Sequence, residues 1–111
     1  MSNRDKSYLK LAAKIAQASD CVHKHGAVII RGGSVLAVGI NKWKSFSPEV
    51  GSTHAEMDAL SRLRDAKGAT IYVSRINRRG EPLLSKPCKE CMESLEDAGI
   101  KRVVYTEKGC F

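Results

Sequence analysis

Two short stretches of this chain hold the residue types able to do chemistry. His54-Ala55-Glu56 offers an imidazole and, two residues on, a carboxylate; Pro87-Cys88-Lys89-Glu90-Cys91 offers two thiols three residues apart. Three protein donors of the His and Cys type can hold a zinc ion and leave a fourth position open, where a water becomes acidic near neutral pH. A nearby carboxylate that is not itself a ligand can then move the proton. The chemistry these residues fit is metal-assisted hydrolysis, with His54, Cys88 and Cys91 as ligands for Zn2+ and Glu56 as proton carrier.

The spacing places the groups. Cys88 and Cys91 share one face of a helix, and Met92 and Leu95 continue that face toward a core. Pro87 suits the first helical position, where its missing N–H costs nothing. Both thiols then fall in the first turn, where the helix dipole favours thiolate. His54 and Glu56, two apart, do not share a face of a regular helix, so His54 must stand at the very start of one. Two plainer readings compete. Thr53-x-x-Glu56 fits a capping box, in which the Glu only satisfies a backbone N–H. A zinc site closed by a fourth ligand from Cys21, His23 or His25 would be structural, although no paired spacing links that stretch to the cysteines.

The elements that must carry these residues are legible. Ser7 to Ser19 is mostly good helix formers, with Leu9, Ala12, Ala13 and Ala16 along one face. Ala27-Val28-Ile29-Ile30 and Val35-Leu36-Ala37-Val38 flank Gly32-Gly33, a hairpin signal. A second helix is expected from near His54 to about Ala66, with Met57, Leu60 and Leu63 inward and Gly68 as its stop. Thr70-Ile71-Tyr72-Val73 reads as a strand, Pro87 to Ala98 as a third helix ending at Gly99, and Arg102-Val103-Val104-Tyr105 as a further strand. Strand, helix, strand in that order imply a parallel crossover. The expectation is a three-layer α/β/α sandwich: a mixed sheet with an N-terminal hairpin extended by parallel C-terminal strands, and helices on both faces.

Composition sets the outer bounds. The 111 residues suit one domain, 1–111, and 42% hydrophobic content is that of an ordinary globular protein. No apolar run approaches the ~20 residues that span a bilayer, and Met1 to Lys6 lacks the apolar core of a signal peptide. A cytoplasmic protein with no membrane partner is expected. Four cysteines could form two disulfides in a secreted protein; in this context metal binding by Cys88 and Cys91 is favoured, leaving Cys21 and Cys110 as free thiols. The net charge of +7, from 19 Lys+Arg against 12 Asp+Glu, favours anionic partners, nucleotides or nucleic acid. The basic residues are scattered, only Arg78-Arg79 and Lys101-Arg102 being adjacent, and no basic-aromatic cluster stands out.

The split H-x-E…P-C-x-x-C pattern, in its order of helix, hairpin, His-Ala-Glu helix, strand, Cys-x-x-Cys helix and strand, resembles the cytidine and deoxycytidylate deaminase superfamily. The pattern is the known signature of zinc nucleobase deaminases. The resemblance implies the cytidine deaminase-like fold and hydrolytic removal of an amino group as ammonia, with Glu56 carrying protons from water to the ring nitrogen and the leaving amine. It further implies that the Ala55 N–H binds a base oxygen and that Asn41 contacts sugar or base, although Asn41 also reads as a turn residue. Trp43 and Phe46 could stack on the base or anchor a loop. Three departures stand out. The segment from Arg75 to Ser85 is long and could add a basic rim near a phosphate; Lys86 occupies a position where relatives often carry Ser or Glu; and the chain ends soon after the last strand, making it a near-minimal core. A short sheet with an exposed edge, and the resemblance, imply a homo-oligomer. The leading expectation is deamination of a small-molecule cytosine nucleotide or nucleoside, dCMP first. The alternatives are editing of single-stranded DNA or RNA, and a zinc-stabilised binding protein without turnover.

Overall fold

Period-two alternation in two central strands organises the protein. The computed structural model describes residues 2–43 and 52–111. Its elements run α1 (Asn3–Ala16), β1 (Lys24–Arg31), β2 (Ser34–Ile40), β3 (Lys42–Trp43), β4 (Ser52–Thr53), α2 (Ala55–Leu60), β5 (Thr70–Ile76), β6 (Pro82–Leu83), α3 (Lys89–Asp97) and β7 (Arg102–Tyr105). In β1, Val28 and Ile30 face α1 together with Tyr72 of β5 and Val104 of β7, packing on Leu9 and Ala12. Ala27, Ile29, Ile71 and Val73 face the other way, onto Ala55 and Ala59 of α2 and Leu95 of α3. Both faces of the sheet are covered, so β1 reads as an apolar run and not as an alternating strand. The α/β/α layering expected from the sequence is the one formed.

The sheet is mixed. The β1–β2 hairpin forms, with Val28 opposite Val38. β5 pairs antiparallel with β1, from Lys24↔Ile76 to Ile30↔Thr70. Among the described residues only β7 lies parallel to its neighbour, with Thr70↔Arg102 to Val73↔Tyr105. The segment after Arg75 forms no loose rim: it turns at residues 77–80 and returns as β6, which pairs with the end of β5 through Arg75↔Leu83 and Ile76↔Pro82.

Each helix departs from its expected bounds for a local reason. α1 begins at Asn3 because the Ser2 hydroxyl accepts the Asp5 N–H at 3.1 Å, an N-cap the apolar pattern does not reveal. α2 stops at Leu60, well short of Ala66. Its last turn tightens through Arg62 N–H to Ala59 and Leu63 N–H to Leu60 carbonyls, and the Asp65 side chain takes the Lys67 N–H instead of leaving it to a helix. α3 starts at Lys89 with Cys88 as N-cap, so Pro87 lies one residue outside the helix and not at its first position. Its end matches the expectation: Gly99 has φ 85°, Ile100 N–H bonds to Leu95 and Gly99 N–H to Glu96, a Schellman turn that only a left-handed residue completes comfortably.

One close approach fixes the site. A Cβ on Gly39 of β2 would meet the Ala55 carbonyl and the Ala59 backbone. Absence of a side chain there lets α2 lie against the sheet, and α2 carries the residues of interest.

Asp5 ties the two ends of the chain. Its carboxylate accepts from Tyr72 Oη at 2.7 Å and from Arg102 at 3.0 Å. Arg102 first, then Tyr72, hold its pKa below the usual 3.8. The folded protein therefore binds this proton less readily than the unfolded chain, so the stabilisation is fully present above about pH 4 and drains away as pH falls through the lower folded value. Asp5→Asn is expected to cost roughly 1.5–3 kcal/mol at pH 7. Denaturant unfolding should show that deficit shrinking as the pH is lowered below about 4; a constant deficit would refute the assignment.

Candidate metal centre

His54 is the N-cap of α2, with an extended backbone (φ −72°, ψ 149°) and no cap hydrogen bond from its side chain. This conformation answers the spacing problem. Because the residue precedes the helix, its side chain need not follow the helical direction, and it can converge with groups that Glu56 also meets. Its Nδ1 lies 3.0 Å from Cys91 Sγ and 3.7 Å from Cys88 Sγ. The three donor atoms sit within 4.8 Å of one another. Zinc bonds of about 2.0–2.3 Å in a tetrahedron separate neighbouring donors by about 3.3–3.8 Å, so the set fits such an ion.

The two cysteines arrive by different routes. Cys88 caps α3, and its sulfur accepts the Cys91 N–H at 3.5 Å, as a Ser or Asp would. Cys91 is in the first turn and buried. Burial raises its thiol pKa most, and the neighbouring Cys88 and Glu56 raise it further. Two thiols and a carboxylate thus crowd one pocket with little positive charge, an arrangement that a bound cation would compensate.

Glu56 is 4% exposed. It is no capping-box residue, since His54 and not Thr53 is the N-cap. No Lys or Arg pairs with it among the described residues. Burial raises its pKa; its own backbone N–H, His54 and Cys91 partly offset this. A buried carboxyl with a raised pKa, beside a cluster of metal donors, is suited to taking up and releasing protons.

A cavity of about 360 Å3 opens over these groups, lined by His54, Ala55, Glu56 and Cys88 together with His23 and Lys86. Cys21 and His25 also line it, but the donor cluster among the described residues has three members and includes neither. Burial, with the nearby positive groups Arg75 and His54, takes the His25 pKa down to about 4 against an opposing hydrogen bond with the His23 backbone.

Asn41 lines the cavity too, yet most of its side chain is engaged. Its Oδ1 accepts from Ser19 Oγ at 2.7 Å and His25 N–H at 2.8 Å, and its Nδ2 donates to the His23 carbonyl at 2.6 Å. One N–H remains for a ligand. The Trp43 side chain and all of Phe46 lie outside the described residues.

One contact of the cavity-lining His23 had no signal in the sequence. Arg75 Nη2 lies 2.8 Å from His23 Nδ1, across 52 positions. Arginine only donates, so His23 Nδ1 accepts and its other nitrogen carries the proton. Such a pair is invisible until β5 is laid beside β1.

Comparison with known proteins agrees with this geometry. Residues 2–107 match the family described as the cytidine and deoxycytidylate deaminase zinc-binding region. The dCMP deaminase of the cyanophage S-TIM5 in its apo form is similar, with a TM-score of 0.76, 28% identity, and coverage of 95% of this chain and 84% of that one. The same phage protein in complex with dCMP and dUMP gives a TM-score of 0.72 and 26% identity over 95% of this chain and 82% of that one. Guanine deaminase from Bacillus subtilis shares the fold, with a TM-score of 0.65 and 22% identity over 96% of this chain and 65% of that one. No curated protein matches by sequence.

Proposed function

The chain belongs to the cytidine and deoxycytidylate deaminase zinc-binding family, and from that premise we propose that it hydrolytically deaminates a cytosine mononucleotide, dCMP first, to the uracil form with release of ammonia. The observation that carries this reading is Glu56, buried beside the donor cluster with no capping role and, among the described residues, no salt bridge. Zinc, held by His54, Cys88 and Cys91, would supply Lewis acidity and make water a nucleophile at neutral pH.

The chain's own residues do the rest. Glu56 accepts a proton from water and returns protons to the ring nitrogen and then to the departing amine, which needs a carboxyl that exchanges readily and stays shielded from bulk water. The Ala55 N–H, at the start of α2 where no intrahelical acceptor exists, donates to the base oxygen. Asn41 holds the 19–25 segment through its three hydrogen bonds and keeps one N–H for sugar or base.

A 5′-phosphate on the substrate would give a partner to Lys86, the one Lys or Arg on the cavity wall among the described residues. His23 is oriented by Arg75, and Lys86 stands on the same cavity. Together they offer donors to a 5′-phosphate, whereas an uncharged nucleoside would leave them idle. Lys86→Ala is therefore expected to raise KM for dCMP by about tenfold, equivalent to ~1.4 kcal/mol, while turnover of deoxycytidine stays within twofold. Equal effects on both substrates would count against a phosphate role for Lys86.

The test of the function is ammonia release from dCMP, CMP, deoxycytidine, cytosine, guanine and a cytosine-containing single-stranded oligonucleotide, using zinc-loaded protein. Release from dCMP with the highest kcat/KM supports the reading. Release from the oligonucleotide alone moves the protein to nucleic-acid editing, and release from guanine alone overturns the cytosine assignment.

A further inference from the structure

A carboxylate with no part in proton transfer ties α2 to the strand end that carries Asn41. Asp58 lies in the first turn of α2, and its backbone N–H closes a helical bond on the His54 carbonyl at 3.0 Å. Its side chain is 12% exposed and reaches the end of β2, where Oδ2 accepts the Ile40 N–H at 3.0 Å. Oδ1 lies 3.4 Å from Lys42 Nζ and 3.4 Å from Arg62 Nη2. Ile40 and Lys42 are the chain neighbours of Asn41, so the carboxylate holds it from both sides.

These contacts differ in worth. The Lys42 and Arg62 side chains are 46% and 52% exposed, and such ion pairs contribute little in water. The Ile40 bond is of another kind. Among the described residues β2 pairs with β1 alone. The Asn41 N–H turns toward β1, onto the His25 carbonyl at 3.3 Å, so by alternation along the ladder the Ile40 N–H points away from it. A charged, mostly buried carboxylate takes that N–H, which makes it one of the stronger classes of hydrogen bond.

Packing alone leaves a freedom that this bond removes. α2 has six residues, too few to hold its place by helical propensity. It rests on the sheet through Ala55 and Ala59, both fully buried, over the bare backbone of Gly39. Apolar contacts of this kind are non-directional. They set how deep α2 lies and not where it stands along β2. A directed bond from Asp58 to Ile40 sets the latter.

We propose that Asp58 is a positioning residue: by fixing α2 along the end of β2, it sets the spacing between Ala55 and Glu56 on the helix and the free Nδ2 N–H of Asn41. Its effect on turnover rests on the deaminase reading; its effect on geometry does not. A substrate that touches both elements reacts only when they are correctly spaced.

The experiment has two arms, both on zinc-loaded protein. In the structural arm, Asp58→Ala should shift the Asn41 side-chain amide resonances and speed hydrogen exchange at the Ile40 amide roughly tenfold. Asp58→Asn, which keeps an oxygen for Ile40, should leave both near the parent. Unmoved Asn41 resonances in Asp58→Ala would overturn the proposal, whether or not the protein is a deaminase.

The kinetic arm uses whichever substrate of the panel the parent deaminates best. Asp58→Ala should lower kcat/KM by about 30-fold, mostly through KM, and Asp58→Asn by less than about threefold. The same Asp58→Ala change made in an Asn41→Ala background should cost less than about threefold, because the residue through which it acts is gone. An equal loss in both backgrounds would make Asp58 a support for the fold alone and overturn the proposal. Lys42→Met and Arg62→Gln should each change kcat/KM less than about twofold; a loss matching that of Asp58→Ala would place the effect in the ion pairs instead. Should Asp58→Ala fail to fold, Asp58→Leu, which fills the space without accepting a hydrogen bond, takes its place with the same expectations. A parent that deaminates nothing in the panel would refute the functional reading, and the structural arm would still decide this one.

Discussion

Glu56→Gln is expected to lower kcat by about 10²–10⁴-fold, the range that a positioned acid–base group contributes, while zinc content and substrate KM stay near those of the parent. The amide is almost the same size and keeps the buried pocket filled, so a folding defect is not expected. It can neither accept the proton of water nor return one to the leaving amine. Burial strengthens the argument: at 4% exposure no bulk water replaces the carboxylate as a base. The measurement is steady-state ammonia release together with zinc stoichiometry by atomic emission. Parent-like turnover in a variant that retains one zinc would falsify the role given to Glu56. Loss of zinc would instead show that the carboxylate acts as a ligand.

The second large effect concerns the metal. Cys91→Ser is expected to reduce zinc affinity more than 100-fold and to abolish measurable turnover at limiting zinc. The reasoning follows from burial. Cys91 is the one buried ligand of the three, whereas His54 and Cys88 are exposed, so replacing it leaves a harder, less acidic hydroxyl where thiolate is required. Because zinc binds the folded state, its removal also lowers stability: at a thousandfold excess over Kd the metal contributes ~4.1 kcal/mol. For a domain of this size that corresponds to a fall in Tm of more than about 10 °C. Thermal unfolding with and without a chelator measures it for the parent, and the chelator should do little to Cys91→Ser. A variant with one tightly held zinc and an undiminished chelator response would place the metal on other residues.

The two predictions bear on one constellation, and most of it was written in the sequence. Cys88 and Cys91 carry their geometry in their spacing, and so do His54 and Glu56 once the start of α2 is located. The hairpin at Gly32-Gly33, the Schellman stop at Gly99 and the apolar runs of β1 and β5 are local patterns of period and turn chemistry, which is why they were legible. The misreadings were local as well. Leu63 continues a helical pattern and packs on the core, yet α2 ends at Leu60, because i→i−3 bonds and the Asp65 side chain competed with the helix. The same limit applies to the direction of strands: an apolar run says that a strand is covered on both faces, not which neighbour it takes. The strand–helix–strand order pointed to the parallel pairing of β5 with β7, whereas the antiparallel pairing of β5 with β1 had no local signal.

What the sequence alone carried is the donor set: the donor types, their number, and a carboxylate outside that set, to which we assign proton transfer. These follow from residue identity and short-range spacing, which survive any rearrangement of the rest of the chain. What only the tertiary structure decided is where charge collects. Arg75 meets His23 across 52 positions, Asn41 spends its side chain on Ser19, His23 and His25, and Arg4, Arg31, Lys101 and Arg102 gather at one end of the sheet. The physical reason is the same in each case. Electrostatic and hydrogen-bonding partners are chosen by distance in space, and in a mixed sheet wrapped by helices that distance bears no relation to separation along the chain.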